Sequence, residues 1–265
     1  MIRKTPHYMA EGFSFDRLSC GHKINRQKAK NSLGTLGSGN HFIEIDKGND
    51  DSLYLIVHTG SRHLGKEVAE YYTKLASDSL KESGKNIPYY MSYLEGENKK
   101  AYIEDVKIIQ RYADLNRQII IKEILKGMKW KAIEQFSVAH NYIDVFGTLH
   151  KGSISAKKDE RVIIPANMKD GVILGKGKGN AEWNYSAPHG SGRKIVRKDV
   201  KNQYTVSQFK KDMKNIYSSC ISAEILDESP CAYRSIKEIA EQIKDTVEIT
   251  DILKPIYNFK AGSKK

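Results

Sequence analysis

The chain lacks any run of about 18 apolar residues, so no stretch of it reads as a transmembrane helix. Its opening, MIRKTPHYMAEGFSFD, carries charge but no apolar stretch and does not read as a secretory signal. Proline is scarce, at 6 residues, and glycine ordinary, at 20, which excludes collagen-like repeats and long disordered tracts. Three cysteines, Cys20, Cys220 and Cys231, are too few and too scattered for a disulfide scaffold, and they fit a reducing, cytoplasmic setting. No internal repeat is present. What remains is 265 residues, 39% hydrophobic and 29% charged, which reads as a soluble globular protein with a lean core.

Charge is the first positive sign. Lys and Arg total 44 against 32 Asp and Glu, for a net +12. Such a surface attracts polyanions and gains by releasing their counterions, although solvated Lys-rich faces produce the same count.

Residues 1–32 are polar and irregular, with a basic cluster at Lys23–Lys30, and read as a surface lead-in. Alternation over His41–Ile45 and the apolar run Leu53–Val57 read as two strands, the second buried, with a turn signal at 48–51 between them. Apolar residues take helical steps from Leu64 to Leu80. They do so again from Asn98 to Leu125, in a stripe that Asn116 and Arg117 interrupt. Beyond Trp130 the segments Phe136–Phe146, Arg161–Pro165 and Gly171–Leu174 are short and β-prone. A Gly-rich loop over 175–193 is long enough to suggest function. Then come a β-prone segment, Ile216–Leu226, a helix near Ile236–Ile243 and a last apolar stretch to Phe259. Strands and helices mix without regular βαβ alternation, so the expected class is α+β. The expected organisation is one region over 33–262 with a tail at 263–265.

The chain has eight histidines: His7, His22, His41, His58, His63, His140, His150 and His189. His41, His58, His140 and His189 each sit beside small or amide residues at a strand end. Neutral imidazole is a common transition-metal ligand, and ligands gathered from separate strands would hold an ion. Each taken alone is more readily a hydrogen-bonded structural histidine, and no Cys or Asp stands beside any of the four. The segments LGTLGSGN (33–40) and HGSGR (189–193) expose backbone N–H groups of the kind that bind phosphate. Neither matches a P-loop or dinucleotide fingerprint, and each is equally an ordinary turn. Arg62, Lys151 and Arg193 lie within a few residues of these histidines and would suit phosphate, or stand as solvated charges.

Taken together, these segments resemble the RtcB family of RNA-splicing ligases. The matching stretches are LGTLGSGNHFIEID (33–46), LIVHTGSRHLGKEVAEYY (55–72), YADLNR (112–117), AHNYID (139–144), HKGSISA (150–156), VIIPANMKDG (162–171), GKGNAEWNYSAPHGSGR (177–193) and DESPCAYRSI (227–236). The resemblance implies GTP- and Mn²⁺-dependent joining of an RNA 3′-phosphate or 2′,3′-cyclic phosphate to a 5′-hydroxyl through a guanylylated histidine. It assigns the nucleophile to His189 and the metal ligands to His41, His58 and His140. It places the guanylate pocket on Asn40, His41, Phe42, Ile43, Glu44, His140, Asn141, Pro165, Ala166, Asn167, Met168, His189, Gly190, Ser191, Gly192 and Lys260. RNA phosphates would meet Arg62, Lys151 and Arg193.

The sequence departs from the family pattern in several places. The family's D-x-G-C-G-type motif, whose Asp and Cys complete the metal shell, is not found: Ser19-Cys20-Gly21 lacks the preceding Asp. Val172 stands where a Ser is usual, His150 replaces the Arg of an R-K-G motif, and Val196 replaces a Ser. The expected reading is therefore an RtcB-type ligase region whose missing Asp and Cys come from a separate N-terminal polypeptide. The alternatives are a degenerate or split relative that binds GTP or RNA without ligating alone, and a basic RNA-binding module.

Overall fold

The computed structural model describes residues 2–262; the expected tail at 263–265 lies outside the described residues. The chain forms two compact units, one from Met1–Thr35 with Thr59–Ala132, the other from Leu36–His58 with Ile133–Lys265. The single region expected over 33–262 is thus shared between two bodies.

The first unit is helical. It comprises α1 (Tyr8–Glu11), α2 (Arg26–Ser32), α3 (Arg62–Glu82) and α4 (Gly96–Met128). The stripe in α3 buries Leu64, Val68, Tyr72, Ala76 and Leu80, at the four-residue step that keeps side chains on one face. Helix α4 buries Ile108, Tyr112, Ile119 and Ile120, together with the polar Asp105 and Asn116. Residues 1–32 are not the surface lead-in expected of them: Ala10, Phe15, Leu18, Cys20 and Ala29 are buried in the same core as the α3 and α4 residues. Two polar groups of α4 hold this segment and its continuation. The Asp105 carboxylate accepts from the Ser19 N–H at 2.8 Å, the Cys20 N–H at 3.1 Å and the Tyr72 hydroxyl at 2.8 Å. Asn116 accepts from the Gly34 and Thr35 N–H groups at 2.8 and 3.2 Å and donates to the Thr35 and Gly60 carbonyls, both at 3.2 Å. The interruption in the α4 stripe is therefore a fully buried junction for two loops.

The second unit carries β1 (Phe42–Lys47), β2 (Leu53–His58), β3 (Asn141–Ile143), β4 (Leu149–Lys151), β5 (Ser153–Ser155), β6 (Arg161–Asn167), β7 (Gly171–Gly177), β8 (Ser186–Pro188) and β9 (Val247–Phe259). Between β8 and β9 lie α5 (Arg197–Gln203), α6 (Val206–Asp212) and α7 (Ile236–Gln242). Five strands form an antiparallel sheet in the order β2-β1-β9-β7-β6, and β3–β4 and β5–β8 form separate two-stranded ladders. The β1–β2 hairpin was legible, but β2 is an edge strand in which Ile56 alone is fully buried, not the buried strand expected. Only Asn141–Ile143 of the β-prone run 136–146 becomes a strand. The run Ile216–Leu226 forms none: Ile225 and Leu226 lie in a 3-10 turn (Ala223–Glu228) and pack with Met168, Val200, Phe209 and Met213. Local β propensity yields there to the apolar cluster that needs those side chains. Gly171, at the tight β6–β7 connection, has φ +85°, and a Cβ there would stand 2.1 Å from the Leu253 carbonyl oxygen, so only glycine lets β9 pass this close. No described helix is long and apolar enough to cross a membrane.

Candidate active site

Four histidines expected to act together do meet, all within the second unit. His41 precedes β1, His58 ends β2, His140 precedes β3 and His189 follows β8. Their rings form a chain with centroids 6.0 Å apart from His41 to His58, 5.4 Å from His58 to His140 and 4.8 Å from His140 to His189. Phe42 also stacks on His58, with centroids 5.3 Å apart. Loss of hydration, reinforced by His140, His41, Lys260 and His189, pushes the His58 pKa down to about 3. His58 is a neutral, packed imidazole at any ordinary pH.

His189 is held in one tautomer. Its Nδ1 lies 2.6 Å from the Gly152 carbonyl, which can only accept, so Nδ1 carries the proton and Nε2 carries the free lone pair. Gly152 is fixed in turn: its N–H donates to the His140 carbonyl at 2.7 Å and to the Asn141 side-chain oxygen at 3.0 Å. With φ +66°, it brings its backbone against the imidazole, and a Cβ would lie 3.4 Å from the ring. On the far side, Ser191 donates its N–H to the Pro165 carbonyl at 3.0 Å and its hydroxyl to the Ala166 carbonyl at 2.7 Å. The HGSG loop is thereby tied to β6.

A buried charged cluster occupies the same unit. The Lys260 ammonium lies 5.4 Å from the Phe42 ring centre and 3.1 Å from Glu228. Glu228 also accepts from the Tyr233 hydroxyl at 2.5 Å and pairs with Arg197. Burial alone would raise the Glu228 pKa, but Lys260, Tyr233 and Arg197 outweigh it and hold the carboxyl below its usual range. Glu44 and Asp46 share one face of β1 and are 2% and 0% exposed. Asn258, opposite Glu44 on β9, donates to it. Burial, first, and mutual repulsion keep Glu44 well above the usual carboxylate range, and burial raises Asp46 as well. Apart from a proton shared with Glu44, no donor reaches either Asp46 oxygen among the described residues.

The other expected site residues have these surroundings. Asn167 accepts from the Lys169 and Asp170 N–H groups within its own turn. Met168 is buried in an apolar cluster. Ile43 belongs to the β1 ladder, and Asn40 is exposed beside His41. Arg62 belongs to the first unit, where its Nε donates to the Thr35 hydroxyl at 3.2 Å. Lys151 is exposed on β4. Arg193 is not the open phosphate contact expected: its guanidinium donates to Ile195 O, the Tyr233 hydroxyl and Asp227 O at 3.2, 3.2 and 2.6 Å. It ties the HGSGR segment to the 227–233 segment. The residues missed by sequence reasoning are Asp46, Gly152, Glu228 and Asn258. All but Asn258 lie within or beside the quoted motifs, yet only the fold shows which are buried.

Three histidines alone do not make a metal centre here. Among the described residues, no group of three or more His, Cys, Asp or Glu is placed to hold an ion. The His58 and His140 rings lie within 10° of parallel. The arrangement of His41, His58 and His140 does not fit Mn²⁺ by itself.

The four histidines and the Gly152 turn that orients His189 thus lie in one unit beside the sheet. Comparison with known proteins gives the family. The model of the tRNA-splicing ligase RtcB family matches residues 7–261. RNA-splicing ligase RtcB1 of Escherichia coli ATCC 25922 is 30% identical over 246 residues, covering 84% of this chain and 60% of the relative. RNA-splicing ligase RtcB of Escherichia coli K12 gives the same identity and coverage. The tRNA-splicing ligase RtcB of Pyrobaculum aerophilum is 27% identical over 273 residues, covering 82% of this chain and 56% of the relative. The chain belongs to the RtcB family and spans about 60% of the length of its Escherichia coli relatives.

Proposed function

We propose that the chain is the His189-bearing part of a GTP-dependent RNA ligase that joins 3′-phosphate or 2′,3′-cyclic phosphate ends to 5′-hydroxyl ends. The observation that carries this reading is the Nδ1–H bond from His189 to Gly152, which leaves Nε2 as the nucleophile. In this reading Nε2 forms a bond to the α-phosphorus of GTP and pyrophosphate leaves. His189 then passes GMP to the RNA 3′-phosphate, and the 5′-hydroxyl displaces GMP as the phosphodiester forms. The Gly152 carbonyl holds the Nδ1 proton throughout and stabilises the positive charge that develops on the ring. The exposed Lys151, within a net charge of +12, serves RNA phosphates.

Mn²⁺ would neutralise phosphate charge, and the chain's own histidines need further ligands to hold it. An Asp and a Cys supplied from outside residues 1–265 would fit that need. The second reading, a relative that binds nucleotide or RNA without ligating, is favoured by the same lack of a convergent metal shell. Incubation with GTP, Mn²⁺ and an N-terminal RtcB polypeptide, followed by mass spectrometry, separates the two. The ligase reading expects an acid-labile, alkali-stable guanylate on His189. A guanylate elsewhere, or none beside a verified partner, supports the second reading.

A further inference from the structure

Outside the histidine chain, the second unit holds another set of chemically matched side chains. His150, on β4, is 6% exposed and lies between two partners. Its Nε2 is 3.1 Å from Asp144 Oδ2, and its Nδ1 is 3.1 Å from Ser186 Oγ. The Tyr142 ring lies flat against the imidazole, with centroids 4.4 Å apart and planes within 2°. Asp144 is itself oriented: its Oδ1 accepts from the Phe146 and Thr148 N–H groups at 2.9 and 2.8 Å, leaving Oδ2 for the histidine. The hydrogen bond to His150, above all, holds the Asp144 carboxyl below its usual range, so it is ionised.

The proton positions follow from the partners. A carboxylate only accepts, so Nε2 carries a proton, and in the neutral ring Nδ1 presents a lone pair to Ser186. The Ser186 hydroxyl proton has two acceptors, the Asn184 carbonyl at 2.9 Å and Nδ1, and rotation about its Cβ–Oγ bond moves it between them. A hydroxyl, a base and a carboxylate that orients the base and stabilises its imidazolium form the constellation that activates serine in unrelated folds. The segments joined by the Ser186–His150 contact also carry exposed apolar side chains: Val145, Phe146 and Leu149 on one, Trp183 and Tyr185 on the other. Nothing in the His189 reading uses these residues.

We propose that Ser186, His150 and Asp144 form a second reactive site, with Ser186 as an activated nucleophile toward carboxylic esters bearing an apolar acyl or aryl group. In the first step, Oγ bonds to the acyl carbon while its proton passes to His150 Nδ1; the ester bond breaks, and the leaving alcohol takes that proton. In the second, water gives a proton to Nδ1 and attacks the acyl group, and Ser186 departs with the proton returned.

A fluorophosphonate probe tests this directly, because the first half-reaction leaves a stable Oγ–P bond as fluoride departs with the proton. The purified chain is incubated with the probe and the adduct located by mass spectrometry. The expected result is one adduct, on Ser186, lost in Ser186→Ala and unchanged in the surface control Ser207→Ala. His150→Gln and Asp144→Asn are expected to slow labelling at least about tenfold while thermal melting stays cooperative. No adduct on the cooperatively folded wild type, an adduct on other serines, or equal labelling in a folded Asp144→Asn variant overturns the proposal. None of these outcomes depends on whether His189 accepts GMP.

Discussion

The two units differ in what some of their buried polar groups are doing. In the helical unit, Asp105 and Asn116 are fully buried, and each is surrounded by matched partners: three donors for the carboxylate, donors and acceptors for the amide. In the sheet unit, Glu228 and Ser191 are matched in the same way, but three other buried groups are held in protonation states that water would not favour. His58 is neutral far below its ordinary pKa, and the Glu44–Asp46 pair retains a proton. A saturated polar group fixes a loop, whereas one with an altered proton affinity costs stability and is retained where a site needs it. The contrast separates positions that hold the chain together from positions that can hold or move a proton.

The largest expected effect lies on the reactive side. If the proposed ligase reading holds, His189→Ala lowers guanylate labelling by more than about 1,000-fold in the presence of the N-terminal polypeptide, with thermal melting near that of the wild type. In the helical unit the opposite holds. Asn116→Ala strands several buried backbone groups and lowers unfolding free energy by roughly 3 kcal/mol in denaturant titration. Equal melting temperatures for Asn116→Ala and wild type would break the comparison.

Smaller effects sharpen it through pH. The unfolded chain protonates His58 at its ordinary value of 6.5, and the folded protein does so only near 3. Its contribution to stability is therefore complete above 6.5 and is lost as pH falls toward 3, at up to about 1.4 kcal/mol per unit. His58→Gln flattens acid unfolding measured across that window. The carboxyl pair has the reverse sign, because the folded state keeps a proton that the unfolded chain releases. Stability then falls as pH rises from the ordinary carboxylate range toward neutrality, and Asp46→Asn gains on the order of 1 kcal/mol at pH 8. Smallest is Lys151→Ala, which reduces the salt dependence of single-stranded RNA binding by about 0.7 in log–log slope.

Much of this was legible in residues. The steps of α3 and α4, the β1–β2 hairpin with its Gly-Asn-Asp-Asp turn, and the motif around His189 all carry local signals. What was not legible depends on distant partners. Phe15, Leu18 and Cys20 have no common period, so their burial shows only once the α3 and α4 faces exist to receive them. Glu44 and Asp46 alternate with Ile43 and Ile45 as a solvent face would, yet β1 is flanked by strands on both edges and its acidic face is covered. Asn116 looked like a break in a stripe because an amide's partners cannot be read from its own helix. Arg193 looked like an open cation because Tyr233 and Asp227 lie some forty residues downstream.

Strand β9 has a consequence for how the molecule comes into being. It lies between β1 and β7, and its register joins Ile43 to Phe259 and Val172 to Leu253. Until β9 arrives, β1 and β7 each present an unpaired row of backbone groups, the kind of edge that recruits neighbouring chains. Closing loops of that span is slow, and a pairing so distant in sequence raises contact order. Yield on refolding should therefore depend on protein concentration, with dilution protecting the sheet unit during the wait for its central strand.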